Sequence, residues 1–226
     1  MGMGDSAALS QLLVLGEDKD LKEDALALPS GMRDVHGQQL DLRSTNSWLL
    51  KLGEVETPEA VEVFCINAMA PFIINSRLRG LLERSPHPDR YIINVSAMEG
   101  KFYRYKQPTH PHTNMAKAAL NMMTRTSAED LASNSGIFMN SVDTGWINDE
   151  NPLPTAQRIA ENHRFQTPID EVDAAARILD PVLMGLDAVK SGHASCRGRV
   201  RKGGAEELGD GPVWGCFLKD YKLSEW

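Results

Sequence analysis

The sequence predicts an α/β fold, a parallel sheet with flanking helices. Two short β-branched, apolar runs bounded by turn formers carry that reading: RYIINVS (90–96) and IFMNSVD (137–143). Continuous runs of this kind mark strands covered on both faces. The third observation is a helix-length segment between them, with further helical segments before and after. Strands alternating with helices of this length pair in parallel through right-handed crossovers.

In chain order, residues 1–45 read as an irregular segment, ALPSGMRDVHGQQLDL being rich in turn formers. Thr57-Pro58-Glu59 is a helix start, with threonine as cap, proline at the first helical position and a carboxylate in the first turn. Apolar residues then recur near helical period at Val61, Phe64, Cys65, Ala68, Phe72 and Leu81, and Pro71 is expected to bend the helix or mark a tight contact. SPHPDR ends it before the first strand. AMEGKFYRYKQPTHPH is a loop, residues 113–132 a helix, and SNSG the turn into the second strand.

TGWINDENPLP is another loop, and Pro154 or Thr155 opens a short polar helix to His163. Thr167-Pro168-Ile169-Asp170 reads as a cap with proline behind it and a carboxylate at the third position. The helix that follows is carried by Val172, Ala176, Ile178, Leu179 and Leu183 and is interrupted near Pro181. A Gly-rich, charged insertion around 190–211 precedes PVWGCFLKDY, the third predicted strand. Residues 46–226 thus form the predicted domain, with no internal repeat.

At 226 residues, 42% hydrophobic and 24% charged, the chain has the balance of a soluble globular protein with a full core. A net charge of −7 argues against nucleic acid or anionic membrane as partner, and CRGRVRKGG (196–204), without aromatic interleaving, reads as a solvated loop. Cys65, Cys196 and Cys216 are scattered and odd in number, which points to a reducing compartment. The N-terminus lacks a basic n-region and no window reaches roughly 18 apolar residues, so the expected location is cytoplasmic. MGMGDS fits the loose myristoylation pattern and reads as a flexible start.

Ligands of parallel α/β sheets bind where loops leave the carboxyl ends of strands. Residues 97–112 and 144–154 are therefore the default site. Thr113 and Lys117, at i and i+4, share one helix face there, amid Ala116, Ala118 and Ala119. His112 has a pKa suited to proton transfer, while Tyr103 and Tyr105 lie in the loop before it. HPH offers no third metal ligand at a recognisable spacing.

EVFCINAMAPFIINSRL, RYIINVSAMEG, HPHTNMAKAALNMMTRTSAEDL and IFMNSVDTGWINDENP occur in this order and spacing. Together they resemble the second half of the short-chain dehydrogenase/reductase family, over roughly residues 57–187. The resemblance implies a partial Rossmann-like, doubly wound sheet and an NAD(P)-dependent oxidoreductase of carbonyl or alcohol substrates.

It also implies roles. Asn67 matches the asparagine that holds a water of the family's proton relay. Lys117 matches the lysine that contacts the nicotinamide ribose and depresses the pKa of a tyrosine four residues earlier. That tyrosine position is Thr113, whose hydroxyl is a poor general acid near pH 7. The carbonyl-polarising serine falls at Ala97, with Ser96 one residue before it. The family Pro-Gly that faces the nicotinamide amide is Thr144-Gly145 here.

A Gly-rich phosphate turn after a first strand is expected far upstream of Arg90, and the 89 residues there contain no strand–GxxxGxG–helix. The sequence therefore predicts an absent first half of the nucleotide-binding sheet and an unpaired edge on its first remaining strand. Helices 57–84 and 113–132 correspond to the family's dimer helices, and Met115, Met122 and Met123 could serve a homodimer contact. Two readings follow: a divergent or truncated oxidoreductase, and a non-catalytic scaffold or dimerisation fragment unable to bind a dinucleotide.

Overall fold

The computed structural model describes residues 26–27, 29–33, 40–102, 105–147, 150–163, 167–191, 200–202, 205–207 and 211–226. The irregular segment 1–45, the myristoylation pattern, Tyr103 and Cys196 lie wholly or largely outside them. The chain forms two compact units, one of residues 1–62, 108–110 and 148–166, the other of residues 63–107, 111–147 and 167–226.

The second unit holds the sheet. β1 (Arg90–Ser96) pairs in parallel with β2 (Ile137–Asp143), and β2 pairs in parallel with β5 (Phe217–Lys219). A short β6 (Lys222–Ser224) returns antiparallel to β5. The order β1-β2-β5-β6 leaves β1 at an edge, with no partner strand on its outer side among the described residues. Two strands of the expected insertion, β3 (Val200–Lys202) and β4 (Ala205–Glu207), form a separate antiparallel pair.

All seven residues of β2 are buried, as befits a central strand. One face is covered by α2 (Ala70–Glu83) and α3 (Pro111–Ser135). There Ile92, Ala128, Leu131, Ile137 and Met139 make the apolar core. The opposite face takes α5 (Glu171–Lys190), where Gly185 lies directly against the Tyr91 ring, and a cluster of Val142, Val213, Cys216 and Leu218.

Several boundaries differ from expectation for identifiable reasons. α3 runs from Pro111 through Ser135 because Asn134 bonds to Asp130 and Ser135 to Glu83, so SNS completes the last turn. Gly136, at φ +60°, then ends the helix. α5 begins at Glu171, since the Asp170 carboxylate itself accepts from the amides of Val172 and Asp173, both at 2.9 Å. Pro181 does not interrupt it, because that proline sits on the buried face with Ala174 and Gly185, where packing offsets the missing hydrogen bond. α4 (Leu153–His163) starts one residue before the expected window.

The helix beginning at Thr57 is continuous in direction but not in hydrogen bonding. α1 (Thr57–Phe64) passes into a π-helical turn (Cys65–Met69) and then into α2. Pro71 explains the widening: it has no N–H for the carbonyl four residues back, and its ring crowds that carbonyl.

This helix is also turned inside out. Asn75 donates to Asn94 at 3.0 Å, and Arg79 binds Asp130 and Ser135, so these two polar residues face the sheet and α3. Ile66, Met69, Phe72, Ile73, Ile74, Leu78 and Leu81 are exposed. By length and composition Thr57–Glu83 is sufficient to cross a membrane.

Between the sheet and α3 lies a chain of buried polar groups. Thr124 Oγ1 accepts from Asn94 Nδ2 at 2.9 Å and from Ser141 Oγ at 2.8 Å, and donates to the Leu120 carbonyl at 3.2 Å. Replacing Thr124 with valine keeps the shape but leaves two buried donors without an acceptor. The expected loss is about 2–4 kcal/mol in urea unfolding. A change below about 1 kcal/mol would show the network to be dispensable.

Candidate functional site

Register brings three residues side by side at the carboxyl ends of the parallel strands: Ser96 opposite Asp143, and Asp143 opposite Lys219. The chain leaves β1 through a single 3-10 turn, Met98–Gly100, which packs on α3. A side chain at position 100 would sit 2.5 Å from the Lys117 carbonyl carbon, so only glycine allows this approach. Much of the turn's polar backbone is bonded to side chains. Met98 N donates to Asp143, Lys106 Nζ donates to the Met98 and Glu99 carbonyls, and Asn121 Nδ2 donates to the Gly100 carbonyl.

Lys117 rises from α3 beside this turn and its Nζ donates to the Val95 carbonyl at 3.1 Å. Burial holds its amine below the usual lysine range, while the nearby carboxylates of Glu99 and Asp143 act in the opposite direction. A partly desolvated ammonium at the mouth of a parallel sheet can bind hydroxyls or stabilise negative charge. Thr113 lies one turn before it, half-buried.

The other predicted residues fall as follows. Asn67 sits in the π-turn, which packs against α3, and its side chain donates to the Val63 carbonyl at 3.0 Å. Ser96 is 4% exposed, and its hydroxyl donates to Asn121 Oδ1, toward α3 rather than toward solvent. His112 is buried. Thr144 and Gly145 follow β2; Gly145 has φ +84° and its Cα faces Ile169, so the position requires glycine. Tyr105 is fully solvent-facing at 88% exposure. The site thus gathers Lys117, the 96–100 turn and Thr144-Gly145, with the Asn67 turn packed on the same helix.

In the other unit, His110 of the HPH entry adopts φ +43°, stacks on Trp48 with ring centroids 3.8 Å apart, and bonds through Nδ1 to the Trp48 carbonyl at 2.9 Å. Those contacts account for it as a packed residue.

Sequence reasoning passed over Asp143. It is 5% exposed, and its two carboxylate oxygens accept from Met98 N at 2.8 Å and Gly145 N at 2.7 Å, with Lys219 Nζ at 3.1 Å. The DTG triplet was the available signal, since an aspartate that accepts from the amide two residues on makes an Asx turn.

No family model matches the sequence. Over 153 residues it is 33% identical to an uncharacterised protein of Acanthamoeba polyphaga mimivirus, a match that takes in 65% of this chain. The chain spans about a third (32%) of that relative's length. Among solved structures it is similar to an NADPH-bound carbonyl reductase from chicken fatty liver, at 19% identity and TM-score 0.48, covering 81% of this chain and 64% of the other. For the carbonyl reductase Sniffer of D. melanogaster the identity is 16% and the TM-score 0.49, over 77% of this chain and 59% of the other.

The Gly100 contact gives a direct test. Gly100→Ala must push the turn off α3, because the clash is with backbone on the far side. The expected loss is about 3 kcal/mol or more in denaturant unfolding. A variant as stable as the parent would mean that the turn does not press on Lys117 as described.

Proposed function

We propose that this chain is a divergent or truncated NAD(P)-dependent oxidoreductase of the short-chain dehydrogenase/reductase type, acting on a carbonyl or alcohol. The carrying observation is the placement of Lys117: a partly desolvated amine fixed at the carboxyl end of β1, one turn after Thr113. The motif order and the parallel β1-β2-β5 arrangement, with helices on each face, support the same reading.

The fit to a dinucleotide is one-sided. Lys117 would hold the nicotinamide ribose hydroxyls, and the backbone at Thr144-Gly145 would face the carboxamide. When bound, the dinucleotide supplies or accepts the hydride. For the pyrophosphate end, no Gly-rich strand-to-helix turn stands among the described residues. The site's own proton donor is also weak. Thr113 carries an alcohol where the family has a phenol, so at that position the Lys117 charge meets no acid of suitable pKa.

The second reading, a non-catalytic scaffold or dimerisation fragment, has its own support. The β1 edge is open, the outer face of α2 is apolar, and Met115 and Met122 on α3 are 61% and 55% exposed. A homodimer through helices 57–84 and 113–132 would cover them.

Titration with NADH and NADPH, followed by fluorescence and thermal shift, separates the two readings. Micromolar binding that Lys117→Met weakens at least tenfold is expected for the oxidoreductase. No response at millimolar cofactor, together with a dimer in sedimentation equilibrium, would select the scaffold. Thr113→Tyr adds a gain-of-function arm: restoring a phenol beside Lys117 is expected to raise carbonyl reduction about 100-fold, within the range of general acid catalysis. An unchanged rate in a variant that still binds cofactor would remove Thr113 from the reacting position.

A further inference from the structure

We propose that Asp143 is the positioning residue of this site, its carboxylate locking the turn after β1, the turn after β2 and the end of β5 into one piece. The proposal deepens the oxidoreductase reading and rests on it for the identity of the working amine, Lys117.

The geometry is that of a hub. Oδ2 takes the Met98 amide, which starts the turn pressed on α3 at Lys117. Oδ1 takes the Gly145 amide, which starts the loop predicted to face the nicotinamide. Lys219, directly opposite on β5, is the counter-ion at 3.1 Å. A buried carboxylate with two backbone donors and one cation is satisfied as a charge, and each of its bonds is charge-assisted.

The isosteric amide cannot replace it. One end of an asparagine side chain is a donor, so either Met98 N or Gly145 N would face another N–H. The position also sets the field at Lys117, whose ammonium faces Glu99 from the 3-10 turn and Asp143 from β2. Asp143 in turn faces Lys219 from β5.

The test uses the full chain with 13C-dimethylated lysines, the Lys117 resonance being identified by its loss in Lys117→Arg. Hydrogen exchange is followed at the Met98 and Gly145 amides. In Asp143→Asn, the Lys117 pKa is expected to fall and one or both amides to lose protection. In Lys219→Met, the Lys117 pKa is expected to rise, because a positive charge is removed from beside Asp143, while both amides stay protected. A residue with only a packing role would not move Lys117 in opposite directions in the two variants.

If Asp143→Asn fails to fold, Lys219→Met decides alone: an unmoved Lys117 titration overturns the proposal. Unchanged exchange and titration in a folded Asp143→Asn overturn it as well. Failure of cofactor binding in the parent chain would instead remove the oxidoreductase reading, and leaves these two readouts intact.

Discussion

The backbone contact between Gly100 and α3 at Lys117 is the constraint on which the site depends. The chain leaving β1 at Ser96 already packs on α3 at Gly100, four residues on. The absence of a Cβ at position 100 lets the turn lie on the helix backbone itself. Lys117 is thereby brought within reach of the Val95 carbonyl, and Asn121, one turn on, spans from the Ser96 hydroxyl to the Gly100 carbonyl. A bulkier turn would lift the loop and move the amine away from the strand end.

Between sheet and α3 the layer is apolar around Ile92, Leu131 and Ile137 but turns polar toward the carboxyl ends of the strands. Asn94, Ser96, Asn121, Thr124 and Ser141 are all buried, and each has a partner within the layer. Such a network costs desolvation and returns little net stability, but it tolerates one register only. Shifting β1 by one residue would place Val95 against Thr124 and turn Asn94 to the other face. The polar layer therefore fixes the strand register that sets Ser96, Asp143 and Lys219 in a row.

Much of the framework was legible in the sequence, because continuous apolar runs and helix caps are local signals. β1 and β2 carry the β-branched pattern of buried parallel strands, and the proline at position 71 announced a disturbance that became a π-turn. What covers a helix face is not a local signal. The period through Val61, Phe72 and Leu81 identified an apolar face correctly, yet Phe72 and Leu81 point away from the sheet, at 55% and 59% exposure. Asp143 escaped for a related reason: its importance lies in three partners drawn from three separate strand ends. Pro181 misled because a proline's local cost was weighed without the packing that offsets it.

The exposed face and the open β1 edge belong to one geometric problem. An edge strand without bulge, proline or inward charge invites pairing, and an apolar helix beside it invites a covering layer. Asn75 and Arg79 bond to Asn94 and Asp130 and hold the apolar side of α2 outward. Satisfying its polar groups inward leaves the helix no way to bury its isoleucines except against something further. The flank therefore has the chemistry of an interior surface.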